Sequence, residues 1–278
     1  QKLRTSSGFL REQGACGSCW AVAAVGALEM HAELAGKPTG RLSFAQLVDC
    51  TPNERHCGGS GGCDGATSEL AFEYVTKHAL MDADTYEGSG EGAGGVCDQA
   101  ARRGHVTAHG FTQLPANRVG ALLEAVSSRG PVVVSADASG WSMYDSGIFD
   151  SCSRNATLNH AILLLGYGSG RGQPYWLIRN SWGSGWGEAG HIRLLRHAGD
   201  RGDGGYCGMD NDPQKGVGCE GGPARTPVCG MCGILGDSAF PHGVRSTSPT
   251  HASVNLGSRG KSIRRQISGK WWKSHRTL

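Results

Sequence analysis

A chain of 278 residues is long enough to bury a full hydrophobic core, either as one large domain or as two small ones that share a cleft. Residues 242–278 hold eight of the 27 basic residues and none of the 24 acidic ones, so a basic tail follows a mildly acidic body and the net charge is no argument for nucleic-acid binding. The longest apolar runs, such as residues 161–165, are far shorter than the ~20 residues that a membrane-spanning helix needs.

The cysteine content predicts an oxidising compartment. Eleven cysteines stand in a chain with only 18% charged residues, and disulfides persist where the surroundings are oxidising. The odd number leaves at least one thiol over if the others pair, and such a thiol is a candidate reactive group. The sequence begins without an initiator Met or a recognisable signal peptide, which predicts a processed chain or a fragment.

The first part of the chain is predicted to be largely helical. Residues 20–34 are rich in Ala and Leu and carry apolar residues at helical spacing, so we predict a buried helix whose N-terminus lies at Cys19. Ser43 and Gln46 fit a capping box that starts a short second helix. A third helix is expected over residues 68–78.

Strand-rich segments replace this helical pattern after Gly110. One more helix is expected around residues 119–128. Short runs rich in branched and aromatic residues then predict strands at residues 132–134, 161–167, 175–179 and 191–195. A helical part followed by a strand-rich part predicts an α+β protein of two packed domains, residues 1–111 and 112–241, with a cleft between them.

Two later segments lack the pattern of a packed core. The stretch of residues 200–231 is rich in Gly and contains several cysteines, which predicts a long loop held by crosslinks. Ser, Gly, Arg and Lys dominate residues 242–278, so this basic tail is predicted to be disordered. Targeting, an acidic partner or a plain solvated tail would each account for its composition.

Three sequence blocks carry residues typical of nucleophilic catalysis by a cysteine. The segment QGACGSCW, residues 13–20, matches the pattern C-G-[SA]-C-[WY]. The block LNHAILLLGYG contains His160, and YWLIRNSWGSGWGEAGHIRL contains Asn180. Two further blocks, LVDC ending at Cys50 and GCDGA around Cys63, lie between them in the chain.

In this order the blocks resemble the papain family of cysteine proteases, which includes the cathepsins. The resemblance spans about residues 10–241. It implies an α+β papain-like fold in which a helical left domain and a β-barrel-like right domain enclose the active site in the cleft between them. The family's usual start, an L-P-x-x-x-D-W-R segment, is absent before Arg11.

The chemistry of the residues agrees with this resemblance. A thiol attacks only as thiolate, and a helix N-terminus and a nearby imidazolium both lower the pKa of a cysteine such as Cys19. His160 would take the thiol proton and later protonate the leaving amine, while Asn180 would orient its ring. The resemblance implies an oxyanion hole from the Gln13 amide and the Cys19 N–H, worth roughly 10²–10³ in rate per donor, and a shielding role for Trp182. We expect no cofactor and no metal.

Some of these assignments have simpler alternatives. A lone cysteine is usually an inert buried thiol, although the flanking blocks argue against this for Cys19. Gln13 before a glycine is also a common turn residue. Trp182 and Trp186 are both compatible with core aromatics, and for Trp186 we favour that interpretation.

Disulfide pairing follows from the family resemblance. It pairs Cys16 with Cys63, and Cys50 with Cys97. It also joins Cys152 to a cysteine after the last strands, for which Cys207 is suggested by loop length and Cys232 by its following sequence CGILGDSAFP; we favour Cys207.

The other non-catalytic cysteines then supply two further bridges, since ten such residues make five pairs. Besides the one left over from Cys207 and Cys232, they are Cys57, Cys219 and Cys229. The spacing Cys229-x-x-Cys232 also suits zinc, although no second matching pair accompanies it.

Substrate preference in this family depends mainly on the pocket for the second residue before the cut. The family alignment of CGILGDSAFP places Asp237 at the base of that pocket, with Ser135 and Leu158 on its walls. An acidic base resembles the cathepsin B type and would accept Arg as well as bulky apolar side chains. The alternative is a solvated loop aspartate. Further substrate contacts are implied for Gly17, Ser18, Gly65, Ala66, Asn159 and Trp182.

Two functional hypotheses follow from these observations. The first is an active cysteine endopeptidase, favoured by the complete set of catalytic residues; the second is a catalytically inactive papain-fold module that binds peptides or partners. The resemblance implies protein or peptide substrates, regulation by a propeptide or cystatin-like inhibitors, and a monomer that binds neither nucleic acid nor membrane. It also implies a lysosomal, vacuolar or secreted location, where the sequon at Asn155 would permit glycosylation.

Overall fold

Helices and strands alternate in two parts of the chain, as a computed structural model shows for residues 3, 5–86, 96–97, 104–197 and 205–247. In the described residues the α-helices are α1 Cys19–Leu34, α2 Phe44–Cys50, α3 Ser68–Lys77 and α4 Val119–Ser128. The described strands are β1 Val106–Thr107, β2 Gly110–Gln113, β3 Val132–Ala136, β4 Ile148–Phe149, β5 His160–Gly170, β6 Gln173–Arg179, β7 His191–Leu195, β8 Cys207–Asp210, β9 Thr226–Cys229, β10 Ser238–His242 and β11 Arg245–Ser246. The predicted α+β class is confirmed. Over the same residues, no helix has the length and apolar character needed to cross a membrane.

Helix α1 forms the centre of the helical part. Its residues from Trp20 to Met30 are buried on every side, as expected for a helix that is apolar all round. It packs against α2, α3 and the sheet strand β5. The Ser43 hydroxyl accepts a hydrogen bond from the backbone N–H of Gln46 at 3.1 Å, so the predicted cap of α2 is confirmed.

The described strands form one large sheet and two small ribbons. The sheet has seven strands in the order β2-β10-β3-β5-β6-β7-β4, and every pair is antiparallel except β4 with β7. The ribbons are β1 with β11 and β8 with β9. Residues 1–248 belong to one compact unit.

The central strands divide the interior into two hydrophobic cores. Along β5, Ala161 and Leu163 face the core that contains α1, whereas Ile162 and Leu164 face the core that contains α4. This alternation follows from the two-residue period of a strand. The sheet is therefore covered on both faces, which holds the start of β5 against the N-terminal end of α1.

Three predicted boundaries need correction. The expected domain boundary at Phe111 falls inside β2, which already pairs with β10. The expected loop of residues 200–231 contains the ribbon of β8 and β9, because Cys207–Asp210 pairs with Thr226–Cys229. The expected disordered tail begins too early, since β11 pairs with β1; residues 248–278 lie outside the described part.

Five disulfides use ten of the eleven cysteines, all of which are described, and leave Cys19 free. The bridges are Cys16–Cys63, Cys50–Cys97, Cys57–Cys219, Cys152–Cys232 and Cys207–Cys229. The first two are the pairs that the family resemblance implies.

The favoured pairing of Cys152 with Cys207 is wrong. Cys207 lies directly opposite Cys229 in the β8–β9 ribbon and bonds to it across the two strands. Cys152 instead bonds to the buried Cys232, whose backbone oxygen accepts a hydrogen bond from Asp137 N–H at 2.9 Å. Because Cys229 and Cys232 are both oxidised, the zinc alternative does not apply to them.

Candidate active site

Cys19 is the first residue of α1, at the helix end where a partial positive charge favours a thiolate. The buried Ser18 precedes it as the N-cap. The bridge from Cys16 to Cys63 holds this turn, and Gly17 N–H donates to the Cys63 oxygen at 2.9 Å. A Cβ on Gly17 would lie 2.5 Å from that oxygen, so only glycine permits this approach.

His160 lies at the beginning of β5, and Asn180 directly follows β6. These strands are antiparallel neighbours, which brings the two residues together although 20 positions separate them. The His160 Nε2 lies 2.7 Å from the Asn180 Oδ1, in a buried contact. That hydrogen bond orients the ring and leaves Nδ1 for Cys19.

The thiol and the imidazole shift each other's pKa values. Burial alone would raise the pKa of Cys19, but the charge of His160 and a hydrogen bond from it lower the pKa overall. Burial alone would lower the pKa of His160, but the Cys19 thiolate and the hydrogen bonds to Cys19 and Asn180 raise it overall. The Ala161 N–H adds a contact of 3.5 Å to the sulfur. The site therefore favours a thiolate–imidazolium pair over two neutral groups.

Gln13 is held beside the nucleophile by a short stretch of backbone pairing. Its N–H donates to the Ser181 oxygen at 2.8 Å, and Gly183 N–H donates to the Arg11 oxygen at 3.1 Å. The Gln13 side-chain oxygen accepts from the Ser181 hydroxyl. Its amide nitrogen donates to the Cys16 oxygen at 2.8 Å, which leaves the second amide hydrogen for the cleft.

Aromatic rings surround the His160–Asn180 bond. The Trp182 ring lies 5.1 Å from that of His160, and Trp141 meets the imidazole edge-on at 6.2 Å. Trp186 packs on Trp182 and donates its indole N–H to the Trp141 oxygen at 3.1 Å. The rings limit the access of water to the hydrogen bond, and Trp186 has a packing role here.

The cleft is a cavity of about 290 Å³. Its walls include most of the residues for which a substrate contact is predicted: Gly17, Gly65, Ala66, Ser135, Leu158 and Asn159, together with Gln13, Cys19 and His160. Ser18 is fully buried, and Trp182 lies against His160 outside these walls. Asn155 is exposed, although its side-chain oxygen accepts the Met209 N–H at 3.0 Å.

Asp237 lies in a second cavity, of about 510 Å³, which shares Thr67, Leu158 and Val217 with the cleft. The Ser135 hydroxyl donates to its carboxylate at 2.7 Å. Burial raises the pKa of Asp237, while hydrogen bonds from neighbouring side chains oppose the shift. It is therefore a held, partly desolvated carboxyl rather than a freely solvated loop residue.

Glu69 is a functional candidate that the sequence reasoning missed. It lines the same cavity as Asp237, and the two carboxyls share a hydrogen bond. Burial and the charge of Asp237 raise the pKa of Glu69 to about 8. Its place in the first turn of α3, shortly after the Gly65–Ala66 segment, was a signal that could have suggested it.

Comparison with known proteins agrees with this geometry. The sequence model of the papain family cysteine proteases matches residues 4–217. Cathepsin S of Mus musculus is 38% identical over 193 residues, which cover 68% of this chain and 55% of that protein. The KDEL-tailed cysteine endopeptidase CEP2 of Arabidopsis thaliana is 34% identical over 245 residues, or 87% of this chain and 58% of that protein.

Solved structures show the same fold. Procathepsin L 3 from the larval midgut of Tenebrio molitor matches with a TM-score of 0.65 and 32% identity, over 84% of this chain and 66% of that one. Bromelain from Ananas comosus, in complex with the inhibitor E64, matches with a TM-score of 0.63 and 29% identity, over 84% and 92%. The chain spans a little over half the length of these curated relatives. By sequence and by fold, it belongs to the papain family of cysteine proteases.

Proposed function

We propose that this chain is a cysteine endopeptidase that hydrolyses peptide bonds through Cys19 and His160. The observation that carries the proposal is the buried 2.7 Å contact between His160 and Asn180, with Cys19 hydrogen-bonded to the other side of the same imidazole. This is the arrangement of a nucleophile, a base and an orienting group that covalent catalysis requires. The family membership supports it.

Each step of the proposed reaction uses a group that the site presents. The Cys19 thiolate attacks the substrate carbonyl carbon, and the carbonyl oxygen becomes an oxyanion bound by the Cys19 N–H and the free amide hydrogen of Gln13. The His160 imidazolium protonates the leaving amine, which yields a thioester. His160 then removes a proton from water, and the water attacks the thioester to release the acid and restore the thiolate.

The Asp237 cavity is proposed to bind the side chain of the second residue before the cut. Its opening to the cleft past Thr67 and Leu158 places it next to the reacting groups. Apolar walls would accept a bulky apolar side chain, whereas the carboxyls of Asp237 and Glu69 would pair with an Arg. Arg or a bulky apolar residue is therefore the expected preference.

The partners and the location are proposals as well. We expect protein or peptide substrates, and inhibition by a propeptide or by cystatin-like proteins. The five disulfides are consistent with an oxidising compartment, so a lysosomal, vacuolar or secreted location is proposed. We expect a monomer.

The test is labelling by the epoxide inhibitor E-64, read by mass spectrometry together with hydrolysis of Phe-Arg and Arg-Arg dipeptide amides. One inhibitor per chain is expected for the wild type, and none for Cys19→Ala, in which hydrolysis should fall by at least about 10⁴-fold. A folded wild type that neither labels nor cleaves would support the peptide-binding module instead. Labelling without Arg-Arg cleavage would contradict only the acidic pocket.

A further inference from the structure

A disulfide joins the two walls of the cleft. Cys57 belongs to the loop after α2, on the helical side, and it bonds to Cys219, 162 residues later, in the segment between β8 and β9. The backbones meet at the same place, because Gly58 N–H donates to the Gly218 oxygen at 3.1 Å and Glu220 N–H donates to the Arg55 oxygen at 2.9 Å. We call residues 213–219 the strap.

The strap is also attached to the opposite wall. The buried Asp210, which ends β8, accepts a hydrogen bond from Leu158 N–H at 3.2 Å and another from Asp212 N–H at 2.9 Å. Gly216 packs so closely on Leu158 that a Cβ there would lie 2.4 Å from the Leu158 carbonyl oxygen. The strap therefore has one anchor beside Leu158 and a covalent one at Cys57.

These anchors place the strap across the cleft. Lys215, Gly216 and Val217 line the same cavity as Cys19 and His160. At the helical wall, Gly58 lies against the Ala66 segment, since a Cβ on it would be 2.6 Å from the Ala66 oxygen. Val217, which borders both the cleft and the Asp237 cavity, marks the crossing at the level of the second pocket.

We propose that the strap ends the N-terminal half of the substrate cleft at the second pocket. The proposal rests on the proposed function, because that function decides which end of the peptide lies towards Asp237. Peptides with two residues before the cut should bind without obstruction, whereas further residues must rise over the strap and lose contact with the cleft. The chain would thus prefer cuts with a short N-terminal overhang, and internal bonds only in flexible substrates.

The test compares two free-amine substrates, Phe-Arg and Ala-Ala-Phe-Arg amides of a fluorescent amine, with active sites counted by E-64. In the wild type, kcat/KM for the longer substrate should be about tenfold lower. In the double variant Cys57→Ala/Cys219→Ala, the two values should agree within about twofold, through a gain on the longer substrate alone. Alkylation and mass spectrometry confirm that the assay reductant leaves the wild-type disulfides closed.

Three controls separate the strap from other causes. Acetylated Phe-Arg amide removes the amine charge with little added length, so a full tenfold loss on it would assign the effect to charge and contradict the proposal. The variant Cys207→Ala/Cys229→Ala opens a different bridge of the same insertion, and its substrate ratio should stay at the wild-type value; relaxation of the ratio there would also count against the strap. Val217→Ala removes strap volume with the tie intact and should raise kcat/KM for the longer substrate, which provides a reading if the untied variant does not fold.

The outcomes also distinguish this proposal from the proposed function. Equal kcat/KM values for both substrates in the labelled, active wild type would overturn the strap proposal and leave the peptidase assignment standing. A chain that E-64 does not label would overturn the peptidase assignment, and the strap proposal with it.

Discussion

The catalytic end of the cleft and the strap end are held in place by different means. Cys19, His160 and Asn180 lie at the ends of α1, β5 and β6, whose flanking residues are buried in two continuous cores. The strap has a few buried residues, such as Pro213 and Gly216, and depends on the disulfide to Cys57. Packed elements hold reacting groups to the precision that catalysis needs, whereas a crosslink is enough to hold a barrier.

The largest effect is expected from Asn180→Ala at the catalytic end. Loss of the orienting hydrogen bond should lower kcat by about 10²-fold, because a misplaced general acid no longer aligns with the substrate. The same hydrogen bond helps to raise the pKa of His160. Since activity needs the imidazolium, it should be lost at lower pH on the alkaline side of the variant's pH–rate profile.

Asn211→Ala serves as the matched control. This exposed asparagine makes its side-chain hydrogen bond to Arg225, away from the imidazole, and its replacement should leave the pH–rate profile unchanged. A variant Asn180→Ala that keeps the wild-type kcat and profile would show that packing of Trp182 alone orients His160.

An intermediate effect is expected from Glu69→Gln at the pocket. A carboxyl with a raised pKa is neutral below that pKa and charged above it, so the pocket gains a negative charge as the pH rises through about 8. The kcat/KM ratio of Arg-Arg to Phe-Arg amide should then rise about 5- to 10-fold, as expected for roughly 1–1.4 kcal/mol of charge pairing. The variant should lose this rise, and Glu73→Gln, whose carboxylate pairs with Lys77 at 2.7 Å, should keep it.

The same glutamate links pH to stability. Its pKa is higher in the folded chain, about 8, than its ordinary value of 4.5. The folded state therefore holds the proton more tightly, so its contribution to stability is full below pH 4.5 and is lost as the pH rises towards 8. Urea unfolding of Glu69→Gln should show a smaller fall over this range than the wild type, and an identical fall would contradict the shared proton.

The smallest effect is expected from Ser43→Ala, which lies in neither region. Loss of the hydroxyl that caps α2 should lower the free energy of unfolding by about 1 kcal/mol. Urea denaturation measures this change, while kcat/KM for both dipeptide amides should stay at the wild-type value. A clear loss of activity would show that the helical core transmits strain to Cys19, which would break the separation drawn between fold and site.

Local sequence patterns predicted much of the fold and the catalytic centre. Apolar spacing predicted α1 with its start at Cys19, and residues 119–128 were predicted as the helix that is α4. The blocks around His160 and Asn180 predicted the contact between them, because each block carries its own strand. These features depend on short-range propensity and periodicity, which a sequence displays directly.

Only the tertiary structure decided the partner of Cys152, the tie from Cys57 to Cys219 and the meeting of Glu69 with Asp237. Each joins positions from 80 to 168 residues apart, and spacing along the chain does not select among such partners. The β8–β9 register chose between Cys207 and Cys232, since it placed Cys207 opposite Cys229. The sequence by itself thus determined what chemistry the chain carries, and the packing of distant segments determined how much of a substrate can reach it.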